Sequence, residues 1–434
     1  MVLQQEPTPF VSVSGEERIM TSMMQELPLD PAKLNRVGNP NRAEVRKVRT
    51  LFRWILGSDP HPTPKQMTVI RESILSGDPL ADAVVAMYGR LPAGEGRKLL
   101  DQALEHGIDT VSDAPAELRS LFKQIDHEPI WLDRELLRLG CEVSYRVGIS
   151  GELVLRNMSL MGGYLAGAAA KPLVFTGQLD RMANRRLVET GKFWMDVNTP
   201  GGLERDKEGF KSAVRVRLMH AQVRNMLVKS DSWDMRWGYP LNQWDSMGTI
   251  LEFSVIFLTG LRALGYLFSR REREAVVHLW RYVGYLMGVD ERILPTNEQD
   301  SMRALYHLIA TIGDSDDDTR RLGEALANAS LQGREGWLQE NIGKLEYTLR
   351  AGYTRYILGD EAADKLGLPR TLTKYFWPAQ APLRMGAELV RKATPGSNRM
   401  LMWVGEKARK NAFPEQVKKL KADTTFTPVK KLFR

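Results

Sequence analysis

Apolar residues recur three and four positions apart along most of the chain, which is the period of an amphipathic helix. Alternating strand-type patterns bounded by Asn-Gly or Asp-Gly turns are missing, and no internal repeat of 20–50 residues is found. The pattern therefore predicts an all-α protein. It is clearest in four stretches: DRELLRLGCEVSYRV (133–147), SAVRVRLMHAQVRNMLV (212–228), LEFSVIFLTGLRALGYLF (251–268) and EREAVVHLWRYVGYLMG (272–288).

Composition and turn signals divide the chain into four parts. Residues 1–40 are rich in Pro, Asn and Gly without a sustained period, and we expect a flexible N-terminal arm. Helical patterns alternate with turn signals over 41–124, which we interpret as an N-terminal helical extension. Helix follows helix with short loops over 125–375, the main domain, and 376–434 form a C-terminal extension.

The longest apolar stretch, residues 247–268, is the segment to consider as a membrane-spanning helix. It contains Glu252 and Arg262, whereas a bilayer-spanning helix needs about 20 residues nearly free of charge. We therefore expect a buried core helix and no transmembrane span. The N-terminus lacks the basic start and apolar run of a secretory signal, and the single cysteine, Cys141, excludes a disulfide framework. Both features favour a reducing compartment, and we expect a cytoplasmic protein.

The net charge of +8 is concentrated at the C-terminus. Residues 405–434 hold nine Lys or Arg and three acids, which leaves +2 for the rest of the chain. The basic balance is thus a property of the tail, and we expect no nucleic-acid partner for the body. A solvated tail is favoured, with contact to an anionic lipid surface or a partner as the alternative.

Common catalytic and cofactor motifs are absent from the sequence. There is no P-loop, GxGxxG, HExxH, GxSxG or CxxC pattern. The acidic segment GDSDDDTRR (313–321) lacks the sixth-position glycine and twelfth-position glutamate of a calcium loop. We interpret it as the start of a helix.

His220 is the first candidate for chemistry. In a helix over 212–227 it shares a face with Val216 and Val223, and Arg217 and Arg224 lie one turn to either side. One alternative is a packed histidine with a hydrogen bond. The other is a haem ligand, since an apolar macrocycle with two carboxylates would need an imidazole for its iron and cations at its edge. Under that hypothesis Arg217 or Arg224 contacts a propionate.

A second helix, RRLVETGKFW (185–194), carries Arg186 and Thr190 four residues apart on one face. On an adjacent face, Arg185 and Glu189 are spaced for an ion pair of an ordinary surface helix. Arg186 and Thr190 can therefore take part in chemistry while Arg185 and Glu189 form a surface ion pair, because the two pairs lie on adjacent faces.

Several ordered segments resemble the MpaB and rubber-oxygenase family, which includes the bacterial latex-clearing proteins. They cover about residues 125–375: EPIWLDRELLRLG (128–140), ETGKF (189–193), VRLMHAQVR (216–224), GYPLNQWDSMGTILEFS (238–254), REREAVVHLWRYVGYLMGV (271–289) and DKLGLP (364–369). The resemblance implies an all-α, globin-like core that binds haem b, with further helices around it. It also implies cleavage of carbon–carbon double bonds of isoprenoid chains by dioxygen. His220 would match the iron ligand, and Arg186 and Thr190 the polar residues of the opposite side.

Two positions depart from the family pattern. Where latex-clearing proteins have a lysine that can cap the iron, this chain has Glu189. We expect Glu189 to turn away from the iron, because burying an unpaired carboxylate is costly. The family's glutamate upstream of the arginine is also missing, since residues 161–180 contain no glutamate.

The leading hypothesis is a haem-dependent oxygenase that acts on an apolar, unsaturated or isoprenoid-like substrate with dioxygen. The alternatives are a haem-binding sensor or carrier with the same fold, and a helical scaffold without haem. His278, followed by Tyr282 and Tyr285, is the rival histidine, either as a second axial ligand or as a packed residue.

Overall fold

The structure is a computed structural model that describes residues 33–36, 43–177 and 179–407, with only the backbone of residues 43, 44 and 179–186. Helices fill it, and no strand occurs in these residues, so the all-α prediction is confirmed. The predicted N-terminal arm and the tail beyond 407 lie almost wholly outside the described residues. The helices are α1 (Ala43–Leu56), α2 (Pro64–Ile74), α3 (Pro79–Tyr88), α4 (Glu95–His106), α5 (Ala116–Ile125), α6 (Arg134–Arg146), α7 (Ile149–Val154), α8 (Met161–Tyr164), α9 (Gly167–Thr176), α10 (Leu179–Asn198), α11 (Glu208–Val228), α12 (Gln243–Phe253), α13 (Val255–Ala263), α14 (Arg270–Leu286), α15 (Glu298–Thr311), α16 (Asp317–Asn328), α17 (Trp337–Leu358), α18 (Asp360–Lys365) and α19 (Phe376–Ala393).

Side chains at the N-termini explain where several helices begin. Thr63 and Ser269 each form a capping box, in which the cap hydroxyl and the side chain three residues later exchange backbone hydrogen bonds. Asp316 accepts a hydrogen bond of 3.2 Å from the Thr319 amide and starts α16. The acidic segment 313–321 is therefore a helix start, as its sequence predicts.

The centre of the core is formed by α14, whose residues from Ala275 to Leu286 are almost all buried. It packs against α6 at a distance that only glycine allows, because a Cβ on Gly140 would lie 2.5 Å from the Ala275 carbonyl oxygen. On another side, Trp280 stacks on Phe253 with ring centroids 4.4 Å apart. This helix is the scaffold on which the remaining helices are arranged.

The apolar stretch predicted as one core helix is divided into α12 and α13. Ser254 interrupts it with non-helical dihedral angles, and its hydroxyl donates a 2.7 Å hydrogen bond to the Ile250 carbonyl. Residues 243–263 are long and apolar enough to cross a membrane by length and composition, but more than half of that stretch is buried inside the protein. Its burial in the core agrees with the sequence prediction, and its division does not.

Helix α3 is fixed to α11 by a buried ion pair. Arg217 of α11 donates to both carboxylate oxygens of Asp78, over 2.6 and 3.0 Å, and the two side chains are 3% and 8% exposed. Its third nitrogen donates to the Gln124 side chain and the Leu286 carbonyl. One guanidinium thus joins α3, α5, α11 and the end of α14.

A second pair repeats this contact further along the same two helices. Arg224 donates to Asp82 over 2.8 Å and to the Leu241 carbonyl over 2.8 Å. Asp78 and Asp82 are one turn apart on the N-terminal side of α3, and both face α11. The two pairs fix the position and the rotation of α11.

Arg217→Met is expected to lower the free energy of unfolding by about 3–5 kcal/mol, because it leaves the Asp78 carboxylate buried without its cation. The measurement is the urea midpoint of the full chain at pH 7. Arg271→Met is the matched control: its pair with Glu135 is exposed on both sides, and loss of such a pair changes stability by less than about 1 kcal/mol. Equal midpoints for the two variants would contradict a structural role for the Asp78–Arg217 pair.

Candidate functional site

Helices α10 and α11 form an antiparallel hairpin. Its geometry determines where each candidate residue lies along the common direction of the two helix axes. Near the turn, the Ser212 hydroxyl donates to Asp196 over 2.7 Å, and Lys192 pairs with the same carboxylate. Since both helices rise by about 1.5 Å per residue, residue 220 lies about level with residue 188. The hairpin therefore brings the backbone of Arg186 and Thr190 to the height of His220.

His220 lies within the protein but is only half-buried. Burial, and to a smaller extent Arg224, lowers the pKa of its ring to about 4, while Asp78 opposes the shift. Among the described residues no hydrogen-bond partner is found for the ring. The ring is enclosed by protein atoms, yet part of the residue stays accessible. The imidazole is neutral at pH 7, so a ring nitrogen with a free lone pair is available there.

Helix α9 packs against the face of α11 that carries His220. Phe175 packs against Val223 and Leu227, which continue the His220 face of α11. Earlier on α9, Ala169 and Leu173 are half-buried. The side chains that continue the His220 face are apolar, as an apolar ligand requires.

The middle of α9 is fixed by ion pairs. Lys171 pairs with Asp316 over 2.6 Å and with Asp318 over 2.5 Å at the N-terminus of α16. Its ammonium group also lies 5.2 Å from the centre of the Trp237 ring. Helix α9 is thus held at its middle by Lys171 and near its C-terminal end by Phe175.

The structure gives Arg217 and Arg224 partners that the sequence does not predict. All three nitrogens of Arg217 are engaged by Asp78, Gln124 and the Leu286 carbonyl. Arg224 keeps one nitrogen, Nη2, that is buried and has no partner among the described residues. Contact of either residue with a haem carboxylate stays a prediction. The geometry restricts it to Arg224, unless Arg217 gives up Asp78.

Arg186 and Thr190 are predicted to lie on the side of the site opposite His220, and the structure describes them less completely. The side chain of Arg186, like that of Arg185, lies outside the described residues. Thr190 is exposed. Glu189 is half-buried and takes part in a polar interaction, so it is not an isolated carboxylate.

His278 is engaged elsewhere. Its Nε2 accepts a 2.9 Å hydrogen bond from the Asp133 amide at the start of α6, and Trp131 packs edge-on against its ring. Burial lowers the pKa of this ring as well. The accepting nitrogen has used its lone pair, which favours the packed-residue alternative for His278.

Glu252 is the acidic residue that sequence reasoning missed. Burial alone raises the pKa of its carboxyl group to about 8, although the residue is only half-buried. Among the described residues no cation and no hydrogen-bond donor contacts that carboxyl group. Like His220, it stays partly accessible. The only signal in the sequence is an acid within an apolar run.

The carboxyl group of Glu252 lies directly over Gly163. A Cβ on Gly163 would be 2.4 Å from Oε1 of Glu252, whereas a Cβ on the adjacent Gly162 would meet nothing closer than 3.9 Å. The backbone is also joined here, since the Ser159 hydroxyl donates to the Glu252 carbonyl over 2.7 Å. The glycine-rich segment, residues 161–180, contains no glutamate. Glu252 of α12 places a carboxyl group next to its Gly163.

Two further features lie outside this site. A shallow surface pocket opens beside α11 on the side away from His220, lined by Tyr88, Arg97, Leu100, Asp101, Arg215, Leu218, Met219 and Gln222. Within the described residues, no group of three or more His, Cys, Asp or Glu is arranged to hold a metal ion. A metal ion at this site would therefore need donor atoms from a bound group in addition to those of the protein.

Comparison with known proteins is consistent with this architecture. A solved structure of the latex clearing protein LCP in the closed state matches with a TM-score of 0.56 at 20% identity, over 81% of this chain and 92% of that chain, which shows a shared fold. The rubber oxygenase of Streptomyces sp. (strain K30) is 25% identical over 299 residues, 66% of this chain and 69% of the relative. The model of the family described as ER-bound oxygenase mpaB/B'/rubber oxygenase, catalytic domain, matches residues 145–392, more than half of the chain.

The matched residues include the hairpin that carries His220, the glycine-rich segment and Glu252. This protein therefore belongs to the family of the mpaB/B' and rubber oxygenase catalytic domains.

Proposed function

We propose that the protein is a haem b-dependent oxygenase that uses dioxygen on an apolar, unsaturated, isoprenoid-like substrate. The observation that carries this proposal is His220: a neutral imidazole with no hydrogen-bond partner among the described residues, next to apolar side chains of α9 and α11. We propose an internal space there that receives the haem. The rubber oxygenase named above supports the substrate class. A cytoplasmic location is part of the proposal.

The described residues fit a haem in part. His220 would bind the iron through its free nitrogen, and Nη2 of Arg224 is an orphaned donor on the same helix for a carboxylate. Haem iron would supply the activation of dioxygen. The protein would supply an apolar enclosure that excludes water, and the hydroxyl of Thr190 and the guanidinium of Arg186 for orientation of the reactants.

We propose that Glu252 is the proton-holding group of this site and faces the same internal space as His220. The segment 161–176 connects the two, since Gly163 lies under Glu252 and Phe175 packs along the His220 face. With its pKa raised to about 8, the carboxyl group is neutral at pH 7 and can donate a proton or a hydrogen bond. It would fill the role of the glutamate that residues 161–180 lack.

His220→Ala is expected to abolish haem binding, because no other described ring nitrogen borders that space with a free lone pair. The measurement is the Soret band and the haem content of the full chain after haem is added. His278→Ala is the control and should keep both, since His278 is engaged with the Asp133 amide. Haem retained by His220→Ala and lost from His278→Ala would reverse the assignment.

The haem-loaded protein is expected to consume dioxygen when an unsaturated isoprenoid is present, and to release carbonyl products. An oxygen electrode and mass spectrometry of the products measure this. Spectral evidence of oxygen binding without consumption, across several isoprenoid chain lengths, would favour the alternative of a sensor or carrier.

Glu252→Gln is expected to remove a pH dependence near pH 8. In the native protein the rate of dioxygen consumption should fall as the pH rises through about 8 and Glu252 ionises. Gly163→Ala should shift that inflection by displacing the carboxyl group, whereas Gly162→Ala, where there is room for a Cβ, should leave it unchanged. Superimposable pH profiles for the native protein and Glu252→Gln would exclude the residue from this role.

The same group gives a readout that needs no substrate. Its folded-state pKa lies above the unfolded value, so its contribution to stability is present below about pH 4.5 and is lost as the pH rises through about 8. Over that interval the native protein should lose stability relative to Glu252→Gln, as measured by urea midpoints at each pH. A constant difference would mean that Glu252 is not buried as described.

A further inference from the structure

Helix α19 has its polar and apolar faces reversed relative to an ordinary surface helix. Glu388 and Arg391 are 5% and 7% exposed, whereas Leu383, Leu389 and Val390 are 79%, 60% and 67% exposed. A surface helix of a globular protein normally buries its apolar stripe and exposes its charges. Here the charged face holds the helix to the protein.

The inward contacts of α19 are specific. Glu388 accepts a hydrogen bond from the Leu267 amide over 3.2 Å, and Arg391 donates to the Leu267 carbonyl over 3.1 Å. Arg384 donates to the Tyr266 hydroxyl over 2.8 Å. Gly265 allows this close approach, because a Cβ there would lie 2.3 Å from the Ala381 carbonyl oxygen. The helix is therefore firmly oriented, and the direction of its apolar side is fixed.

The outer face of α19 contains no charged residue. It consists of exposed side chains on one side of the helix: Ala379, Pro382, Leu383, Gly386, Leu389, Val390 and Ala393. The next helical stretch, 397–407, repeats the arrangement: Gly405 is buried against the Tyr145 carbonyl, and Met400 and Trp403 are 63% and 60% exposed. Two successive helices thus present apolar side chains outward.

Positively charged residues lie beside this face on both helices. Lys392, Arg399 and Lys407 are exposed on the same two helices, where Glu406 is the exposed acid. The sequence continues from Lys407 into residues 408–434, which hold eight Lys or Arg and two acids. A second copy of the chain would bring two such cationic segments together, whereas anionic lipid headgroups would neutralise them.

We propose that the outer face of α19 docks on the surface of an anionic lipid bilayer, with Leu383, Leu389 and Val390 at the acyl boundary and the basic residues at the headgroups. Amphipathic helices bind bilayers in this way, by apolar burial together with attraction to anionic lipid. The proposal does not depend on haem or on turnover, so it stands or fails separately from the proposed function. For an enzyme with a polyisoprenoid substrate, the docking would place the protein where such chains dissolve.

The test uses the full chain with Val390→Cys, labelled with an environment-sensitive fluorophore. Cys141 does not compete for the label, because it is 3% exposed and burial raises the pKa of its thiol to about 12. Vesicles of phosphatidylcholine with about 30% of the anionic lipid phosphatidylglycerol should shift the emission of the label to the blue. Vesicles of pure phosphatidylcholine should not. Ile130→Cys, a fully exposed apolar position outside α19, is the matched control and should show no shift.

A double substitution, Leu389→Glu with Val390→Glu, should weaken sedimentation with the anionic vesicles at least tenfold, and Ile130→Glu should not. Added salt should weaken the binding of the native chain.

The proposal is overturned if the native chain does not bind anionic vesicles, or if the double variant binds as the native chain does. It is also overturned if the label on residue 390 is already shielded without vesicles. Shielding that depends on protein concentration would identify a second copy as the occupant, and shielding that does not would identify the chain's own residues 408–434.

Discussion

The buried ion pair between Asp78 and Arg217 is the contact on which the arrangement of the site depends. Helix α11 carries His220 on one face and must present it at a fixed height and rotation. The guanidinium of Arg217 meets partners from three other elements with almost no access to water, so it tolerates little displacement. Arg224 and Asp82 repeat the constraint two turns later. The orientation of His220 is thus set by charges on the neighbouring face of its own helix.

Helical periodicity predicts much of this fold, because most helices here bury one stripe of apolar side chains. It locates His220 for the same reason: a titratable ring within such a stripe stands out from its neighbours. The division of 247–268 at Ser254 is not predictable from the pattern. The apolar residues continue through the break, and only the backbone conformation at one serine changes.

Sequence reasoning is weaker for contacts between residues far apart in the chain. It identifies Arg217 and Arg224 as cations beside His220, but the carboxylates that engage them are about 140 residues away, on a helix with no apparent relation to the site. Glu252 shows the same limit. In the sequence it is a charge that argues against a membrane span, and its significance depends on the burial and on Gly163, which only folding brings together.

The two aspartates of α3 and the two arginines of α11 also constrain how this protein can diverge. A lineage that lost α3 would keep two guanidinium groups in the interior with nothing to neutralise them, and a lineage that replaced the arginines would strand two carboxylates. Neither pair can change one residue at a time without a less stable intermediate. Helix α3 lies outside the residues that the family model matches, yet it should be inherited together with these two positions of α11.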